Sequence, residues 1–492
     1  MGDPRLEADF YDHLHAPRGQ GQLEGWPHAG AAGGAACGDL VRVAVRVEGE
    51  RVVEAGFSAS GCGATTAAAS AAVELVEGAA FLDATRLTAD DISETLGGLI
   101  PSKRHAAELA ADALHRALGA AAKAGAPALA PSAERTLVAM SGGVDSAVAA
   151  KLALDAGHDV VAVTLELWAD PAGDGTRSCC SPQAVTGARA LAHRMGLPHV
   201  TLDLREGFRR EVVDDFLSEH AAGHTPNPCV RCNGLVRFDA MLQLAERLGA
   251  ARLATGHYAR IERDEHGPLL RAAADPGKDQ TYMLARLTPD ELDRIWFPLG
   301  ELEKPQVREL ARGAGLPVAE KPESQDLCFL AGTRREDFLK RHGGDQPAAP
   351  GDIVDLRGRV IGRHDGQQRF TVGQRRGIGV AAREPLYVLR KRGNRVVVGP
   401  REALATRTVL VESASLLRPG TEVDRVKLRY RSAPLPCRVD GDPPAGRHER
   451  LLLSLETAVD GAAPGQTACL MRGESILGWG TIREPEESAD AA

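Results

Sequence analysis

The stretch Thr136-Leu-Val-Ala-Met-Ser-Gly-Gly-Val-Asp-Ser-Ala-Val-Ala-Ala-Lys151 decides how the middle of this chain folds. The apolar run from Leu137 to Met140 predicts a buried strand, and the composition from Ser146 onward predicts a helix. Between them, Ser141-Gly-Gly-Val-Asp-Ser146 predicts a tight turn whose two glycines let backbone N–H groups approach a ligand closely. At the N-terminal end of a helix, such groups suit a phosphate or pyrophosphate. The stretch therefore predicts a nucleotide site.

The turn ends without the Gly-Lys-Ser/Thr of a Walker A motif, which argues against a kinase-like or GTPase-like site. It resembles the pyrophosphate loop of enzymes that split ATP between its α- and β-phosphates and adenylate an oxygen. Strand and helix patterns then alternate as far as residue 255. The predicted strands are Asp159–Leu165, His199–Asp203 and Ala251–Thr255, and the predicted helices are Ala184–Met195 and Arg209–His220. Such alternation predicts a parallel sheet covered by helices, with the ligand outside the carboxyl ends of the strands.

Composition limits the class of protein. A chain of 492 residues is too long for one core and predicts three or four domains. Its hydrophobic fraction of 43% and charged fraction of 26% are ordinary for a globular protein, and its net charge of −8 argues against generic polyanion binding. With no run of eighteen apolar residues and no leader pattern at the N-terminus, we expect a cytoplasmic protein that does not span a membrane. Nine cysteines in such a chain indicate buried, metal-binding or catalytic thiols rather than a disulfide framework.

Changes of pattern divide the chain into six parts. We predict an α+β domain over residues 1–120, a linker over 121–134, an α/β domain over 135–345, a small β-rich domain over 346–403, a β-barrel over 404–484 and a solvated tail over 485–492. The linker prediction depends on Gly119–Ser132, an Ala-, Pro- and Gly-rich stretch without apolar periodicity.

The small β-rich region concentrates positive charge. Residues 357–401 contain eleven arginines and Lys391 against two acids, Asp365 and Glu384. These positive charges could neutralise several phosphates of a folded RNA. The alternative is a solvated β surface rich in arginine.

Three cysteines are candidates for chemistry. Cys229 and Cys232 form a C-x-x-C motif on the proline-rich loop from Thr225 to Asn233, and Cys328 is the third candidate. A C-x-x-C motif alone is compatible with a redox pair, a zinc half-site, iron–sulfur ligands or a nucleophile, and buried inert thiols are the alternative to all four. For the remaining thiols we predict core positions at Cys437 and Cys469 and a structural role for the adjacent Cys179 and Cys180.

Residues 136 to about 483 resemble the tRNA 2-thiouridylases, enzymes that replace the C2 oxygen of the wobble uridine with sulfur. The segments that carry the resemblance are Ala139–Ser146, Gly223–Pro228 with Cys232-Asn233, Thr255–Tyr258, Lys278–Gln280, Gly300–Arg308, Cys328-Phe329, Thr371–Gly377, Arg429–Arg431 and Pro464–Gln466. The resemblance implies ATP and Mg²⁺ as cofactors and tRNA as partner. Adenylation would convert the C2 oxygen, a poor leaving group, into part of a leaving AMP.

The resemblance also assigns roles to single positions. It places ATP on Ala139, Met140, Ser141, Gly142, Gly143, Val144, Asp145, Ser146, Leu165 and Gly256. It makes Cys232 the nucleophile and Cys328 the carrier of persulfide sulfur. It places Asn227, Pro228 and Cys229 at the target base, and His257, Lys278, Asp279, Gln280, Arg429, Tyr430 and Gln466 against tRNA. A nearby positive charge such as Arg231 would make the Cys232 thiolate accessible near neutral pH.

One departure from the family leaves two sulfur routes open. Many members carry Asp where this chain has Cys229, and a thiol cannot serve as the same acid. Cys229, Cys232 and Cys328 could instead hold three irons of a [4Fe–4S] cluster whose fourth iron binds sulfide. The persulfide route and the cluster route are therefore both compatible with the sequence.

Residues 1–120 resemble the iron–sulfur scaffold proteins of the IscU/NifU type. The resemblance depends on Gly34–Asp39, Ser60–Ala64 and Pro101–His105, and it implies Cys37, Asp39, Cys62 and His105 as ligands of Zn²⁺ or of a labile cluster. Ala106 stands where the family has its third cysteine. We expect this domain to receive sulfur from a cysteine desulfurase or another sulfur donor, with a flexible linker raising its effective concentration. The alternative is a relic that only docks a partner.

Two rival functions remain. An amide-forming ligase that uses ammonia would share the pyrophosphate loop but would need neither Cys232 nor Cys328. An iron–sulfur scaffold whose back half merely binds RNA would not need the intact turn from Ser141 to Ser146.

Overall fold

The structure is a computed structural model that describes residues 4–21, 25–34, 38–170, 181–322, 327–330, 332–343 and 350–484. The first domain contains α1 (Pro4–His15), β1 (His28–Gly33), β2 (Leu40–Glu48), β3 (Arg51–Ser60), α2 (Gly63–Val76), α3 (Phe81–Ala84), α4 (Ala89–Thr95) and α5 (Arg104–Ala124). Its strands form an antiparallel sheet in the order β1-β2-β3, and the alanine-rich helices α2 and α5 cover it. Small side chains let these helices pack closely, and the predicted α+β domain is confirmed.

The predicted linker differs from the structure. Its first residues continue α5, because alanine has the strongest helix preference, and Gly125 ends the helix in a left-handed conformation at φ +83°. The next residues bond to both neighbouring domains: Ala128 N–H donates to Gly49 O (2.9 Å) and Leu129 N–H donates to Arg247 O (2.9 Å). The missing apolar periodicity therefore reflects small side chains in close contact rather than a loose connection.

The second domain is the predicted α/β unit. Its elements are β4 (Ser132–Ala139), α6 (Val144–Asp155), β5 (Asp159–Glu166), α7 (Pro182–Arg194), β6 (His199–Asp203), α8 (Arg205–Phe208), α9 (Asp214–Ala221), α10 (Pro228–Cys232), α11 (Phe238–Arg247), β7 (Ala250–Thr255), β8 (Arg260–Asp264), β9 (Gly267–Arg271), α12 (Thr281–Leu284), α13 (Pro289–Asp293), β10 (Ile295–Trp296), α14 (Lys304–Gly313) and α15 (Arg335–His342). Five strands form a parallel sheet in the order β10-β7-β4-β5-β6. The prediction of a parallel sheet from alternating patterns is confirmed.

The last two units are β structures. They contain β11 (Gly351–Val354), β12 (Val360–His364), β13 (Tyr387–Arg392), β14 (Arg395–Gly399), β15 (Ala405–Leu416), β16 (Arg425–Lys427), β17 (Leu435–Val439), β18 (Gly446–Asp460), β19 (Thr467–Arg472) and β20 (Ser475–Arg483). The first four strands form one sheet, and the last six close into a barrel because β15 pairs with both β18 and β20. The hairpin β8–β9 of the α/β domain extends the barrel sheet beside β20. The predicted small β domain and barrel are confirmed.

Some details of the β region also test the sequence analysis. Cys437 and Cys469 are buried core residues of the barrel sheet, as predicted, and burial raises the pKa of Cys437 to about 12. Strand β16 ends at Lys427, so Arg429 and Tyr430 lie in the turn that follows it. In the part of the chain that the structure describes, no helix is long and apolar enough to cross a membrane.

Candidate active site

The glycine turn after β4 is held by its own side chains. Ser146 Oγ accepts a hydrogen bond from Ser141 N–H (3.1 Å) and donates one to Gly143 O (3.1 Å). Gly142 has φ +69°, a left-handed conformation that favours glycine, and Gly143 precedes the first residue of α6. The backbone N–H groups of this turn therefore lie at the N-terminal end of α6, an arrangement suited to an anion.

Gly256 completes the wall of the turn. It follows β7, and a Cβ atom built on it would lie 2.7 Å from Ser146 N and 2.8 Å from Asp145 C. Because both are backbone atoms, no side chain can fit there. The resemblance selected Gly256 for ATP, and its position against the start of α6 is compatible with that role.

Two lysines at this turn had no predicted role. Lys304 Nζ donates to both carboxylate oxygens of Asp145 (2.7 and 2.8 Å), and the Tyr258 hydroxyl donates to the same carboxylate (2.8 Å). Lys321 Nζ donates to Gly142 O (2.8 Å). The motif Gly300–Arg308 contains Lys304, but its spacing from Asp145 gives no sign that the two residues meet. Lys304 is only 7% exposed, and a buried ammonium group requires such a partner.

The C-x-x-C motif forms the short helix α10. Asn227 caps it, because Asn227 Oδ1 accepts from Cys229 N–H (3.1 Å) and Val230 N–H (3.3 Å). Cys229 is half-buried, and Cys232 is 6% exposed within the main apolar cluster of the molecule. These contacts place the two thiols of the motif on a fixed helix.

Arg231 does not match its expected role. Its guanidinium donates to Glu211 O and lies 3.3 Å from the Asp215 carboxylate. Two neighbouring acids therefore compensate the positive charge that was expected to assist Cys232. Neighbouring side chains on a helix point in different directions, so the position of Arg231 between two cysteines in the sequence does not bring its charge to their thiols.

Cys328 lies beside an aromatic cluster. The half-buried Cys328 precedes Phe329, whose ring centroid is 5.1 Å from that of Phe216 and 5.1 Å from that of Phe338. Cys328, Cys232 and the nucleotide candidates Ala139 and Leu165 all belong to or pack against one apolar cluster. We use the name thiol site for Cys229, Cys232 and Cys328, the three cysteines that the sequence analysis selected for sulfur transfer.

Three domains meet at the loop that precedes α10. From the barrel, Gln466 Nε2 donates to Thr225 O (2.6 Å), and Pro464 O accepts from Thr225 N–H (2.8 Å). From the small β domain, Lys391 Nζ donates to Phe370 O (2.8 Å), and its stem approaches Gly223. The barrel therefore holds this loop by two hydrogen bonds, and a side chain of the small β domain packs beside it.

The remaining residues that were predicted to contact tRNA lie among charged groups or already have hydrogen-bond partners within the protein. Burial raises the pKa of Tyr430, and the charges of Arg431, Asp279, Lys278 and Cys229 also act on it. Several candidate side chains, Asp279 among them, already have structural partners in the protein. These bonds are Asp279 with Thr281 and Lys427, Gln280 with Tyr258, His257 with Thr255, and Arg429 with Gly461.

His257 is a neutral group at physiological pH. Its half-buried ring packs against Phe238 and Phe297, and burial lowers its pKa to about 3, with a smaller contribution from the charge of Arg237. His257 Nδ1 lies 2.8 Å from Thr255 Oγ1. A contact with RNA through this side chain would therefore be a neutral hydrogen bond rather than an ion pair.

A second ligand cluster, which we call the front site, lies in the first domain. Ligand atoms of Asp39, Cys62 and His105 all lie within 4.8 Å of one another, and His105 Nε2 is 2.9 Å from Asp39 Oδ2. The hydrogen bond with His105, followed by that from Cys62 N–H, lowers the pKa of Asp39. Burial acts to raise the pKa of Cys62, but hydrogen bonds with Thr65 and the nearby backbone lower it overall.

Not every predicted residue can be placed. Cys37, the fourth predicted ligand, and the pair Cys179 and Cys180 lie outside the described residues. Ala106 is fully buried next to His105, so an apolar methyl group occupies the third cysteine position of the family. Among the described residues, the front site is the one group of three such ligands this close together.

Four known protein families match successive parts of the chain. Residues 7–124 match the NifU-like N terminal domain, residues 134–332 the tRNA methyl transferase HUP domain, residues 336–400 the tRNA methyl transferase PRC-barrel domain and residues 409–482 the aminomethyltransferase beta-barrel domain.

Relatives extend over the whole chain. The bifunctional protein NifU/MnmA of Rubrobacter xylanophilus is 46% identical over 487 residues, which cover 96% of this chain and 97% of the relative. The tRNA-specific 2-thiouridylases MnmA of Rhodospirillum centenum (44% identical) and a Methylobacterium species (45% identical) each match 73% of this chain, over 94% and 96% of their own lengths. The chain therefore belongs to the family of bifunctional NifU/MnmA proteins.

Proposed function

We propose that this chain is an ATP-dependent tRNA 2-thiouridylase whose NifU-like domain handles sulfur or iron–sulfur clusters. The observation that carries the proposal is the meeting of β4, β7 and α6 at the glycine turn, with Asp145, Lys304 and Gly256 around it. The full-length relative and the thiouridylases that match the back of the chain support the same activity. An amide-forming ligase would leave the thiol site without a purpose.

ATP would bind with its phosphates against the N–H groups of the turn from Ser141 to Ser146. Asp145 is the carboxylate of this turn and would hold Mg²⁺, which when bound neutralises charge on the released pyrophosphate. Lys304 and Tyr258 orient that carboxylate, and Asp145 Oδ2 would be the metal ligand, because Oδ1 already accepts two hydrogen bonds. The wobble uridine would attack the α-phosphate through its C2 oxygen, with release of pyrophosphate.

Sulfur transfer would then take place at the thiol site. The terminal sulfur of a persulfide on Cys328 attacks C2, the C2–O bond breaks and AMP leaves. Cys232 attacks the Sγ of Cys328, a disulfide forms between the two cysteines, and the released electron pair leaves the sulfur on C2. The next cycle needs one of two reloading steps: hydrosulfide attacks Cys328 Sγ of the disulfide, which gives the Cys328 persulfide and the free Cys232 thiol, or an external reductant returns two electrons and a donor persulfide then transfers its sulfur to Cys328. The apolar surroundings of Cys232 favour this chemistry because they exclude water from the activated base.

The cluster route uses the same three residues differently. Cys229, Cys232 and Cys328 would hold a [4Fe–4S] cluster, and the fourth iron would present sulfide. Iron and acid-labile sulfide are assayed after anaerobic purification of the Cys62→Ser variant, in which the front site has lost a ligand, so that metal held by the thiol site is measured. The cluster route requires about four of each per chain, and their absence would remove it.

A labelling experiment tests the adenylation step. tRNA that carries ¹⁸O at C2 of the wobble uridine is incubated with the protein, ATP, Mg²⁺ and a sulfide source, and AMP and the tRNA nucleosides are analysed by mass spectrometry. We expect ¹⁸O in AMP and sulfur in the nucleoside. Thiolated tRNA together with unlabelled AMP would contradict adenylation of the C2 oxygen.

A further inference from the structure

The NifU-like domain lies directly against an edge of the parallel sheet. Strand β6 is last in the sheet order, so in the described part of the chain one of its edges has no neighbouring strand. An uncovered edge presents unpaired N–H and C=O groups. Here His199 N–H donates to Thr85 O (3.2 Å), and Lys123 Nζ donates to Asp203 O (2.6 Å). The NifU-like domain therefore supplies partners to the open edge of the sheet.

A glycine allows the close contact. A Cβ atom built on Gly119 of α5 would lie 2.1 Å from Thr201 O, which is a backbone atom of β6. Only glycine fits this distance, so α5 packs against the strand backbone itself. Next to this contact, Asp112 Oδ1 accepts from the buried Arg189 (2.9 Å), which joins α5 to α7.

Arg116 extends this interface to the carboxyl end of β5. Its guanidinium lies 3.4 Å from the Glu166 carboxylate, which is 2% exposed. Burial raises the pKa of Glu166, and the charges of Arg205 and Arg116 oppose that effect. Glu166 is the last residue of β5 and directly follows Leu165, a nucleotide candidate. A residue of the NifU-like domain thus compensates a buried charge beside the proposed ATP site.

We infer that the NifU-like domain is a fixed part of the thiolase rather than a tethered donor, and that Arg116 is a positioning residue that holds the ATP-binding end of β5 through Glu166. The inference deepens the proposed function, since it depends on Leu165 contacting the nucleotide. The inference also gives helix α5 two roles. Its first turn contributes His105 to the front site, and its middle contributes Arg116 to the contact with β5.

A double-mutant cycle in the full-length chain tests the role of Arg116. In Arg116→Met the buried Glu166 loses one of its two cationic neighbours, and we expect ATP binding, measured by titration calorimetry, to weaken about tenfold. The thiolation rate at saturating ATP should stay within about twofold of the parent rate. Adding Glu166→Gln to Arg116→Met should restore most of the ATP affinity, since no charge then remains buried. An ATP affinity within twofold of the parent in Arg116→Met, or no recovery in the double variant, would overturn the role.

A matched control and an independent measurement complete the test. Arg46→Met removes an arginine of the same domain that pairs with Glu54 on its surface, and it should leave ATP affinity unchanged. Hydrogen–deuterium exchange of the parent chain should show slow exchange at the His199 amide, at a rate similar to amides inside β5. Rapid exchange there would overturn the fixed docking. If the parent binds ATP but does not thiolate tRNA, the proposed function fails while the coupling through Arg116 stands.

Discussion

The front site and the thiol site both contain half-buried cysteines but differ in the polarity of the other groups that form them. In the front site the side chain of His105 is 41% exposed, and Asp39, Cys62 and His105 form a polar cluster with hydrogen bonds among its own members. In the thiol site Cys232 is 6% exposed, and Cys328 lies beside the buried ring of Phe329. Open, polar ligands suit the capture and release of an ion or cluster, whereas an apolar site protects a reactive intermediate from water.

The two sites also differ in how many domains build them. Described residues of the front site come from the first domain alone. The loop before the thiol site belongs to the α/β domain, is hydrogen-bonded to the barrel and packs beside the small β domain. A change in a distant domain should therefore disturb the thiol site more than the front site.

The largest expected effect concerns the glycine turn from Ser141 to Ser146, which would bind the ATP that activates the uridine. Gly256→Ala would place a Cβ atom 2.7 Å from Ser146 N, so the turn must shift. We expect tRNA thiolation to fall at least about 100-fold, because misplaced phosphate-binding N–H groups lose their alignment. Zn²⁺ binding at the front site should stay unchanged. The control is Gly187→Ala in α7, where a Cβ atom meets nothing within 4 Å; equal loss in both variants would contradict the account.

Substitution of Lys304 should have the second-largest effect on tRNA thiolation. Lys304→Met leaves the Asp145 carboxylate with Tyr258 but without its ammonium partner, and we expect thiolation to fall roughly 10- to 30-fold. Lys304→Arg keeps the charge and should retain more activity. The same two variants can be compared in tRNA-dependent pyrophosphate release. Parent-like release by Lys304→Met would show that this ion pair does not support the nucleotide site.

At the front site the expected change is in metal affinity. Asp39→Asn removes the carboxylate charge and weakens the bond with His105, so Zn²⁺ affinity should fall about tenfold in a competition titration. Thiolation driven by inorganic sulfide should remain at the parent rate, since that donor bypasses the NifU-like domain. A parallel loss of sulfide-driven thiolation would mean that the two sites are not separable.

The smallest effect concerns the acid stability of the thiol-site loop. His224 and Arg483 lower the pKa of Glu219 to about 2 from an ordinary value of 4.5, so its stabilisation is present above pH 4.5 and is lost as the pH falls towards 2. The pKa shift limits the contribution of Glu219 to the free energy of unfolding to at most about 3 kcal/mol. Partial exposure of its side chain to solvent reduces that contribution to roughly 1 kcal/mol. Glu219→Gln should lower the free energy of unfolding by that amount at pH 7 and flatten its decline in acid. An unchanged pH profile would contradict the role of Glu219.

The sequence predicted the parallel sheet and the glycine turn because both depend on local patterns, a run of apolar residues followed by glycines. It did not predict Lys304 beside Asp145 or Arg116 beside Glu166, since such contacts join residues of different elements and leave no spacing signal. The predicted linker differed from the structure because alanine-rich helices lack apolar periodicity, and Arg231 differed because its helix turns it towards Glu211 and Asp215. The roles of the individual site residues remain predictions.

The most direct test of the account is the yield of 2-thiouridine in tRNA, measured by nucleoside mass spectrometry after reaction with ATP, Mg²⁺ and sulfide. Four proteins are compared: the parent, Cys232→Ala, Cys328→Ala and the core control Cys437→Ala. We expect the parent and Cys437→Ala to form the product and both thiol-site variants to lose at least about 1000-fold in rate, as for removal of a nucleophile. Parent-like product from Cys328→Ala would contradict the assignment of sulfur transfer to this site.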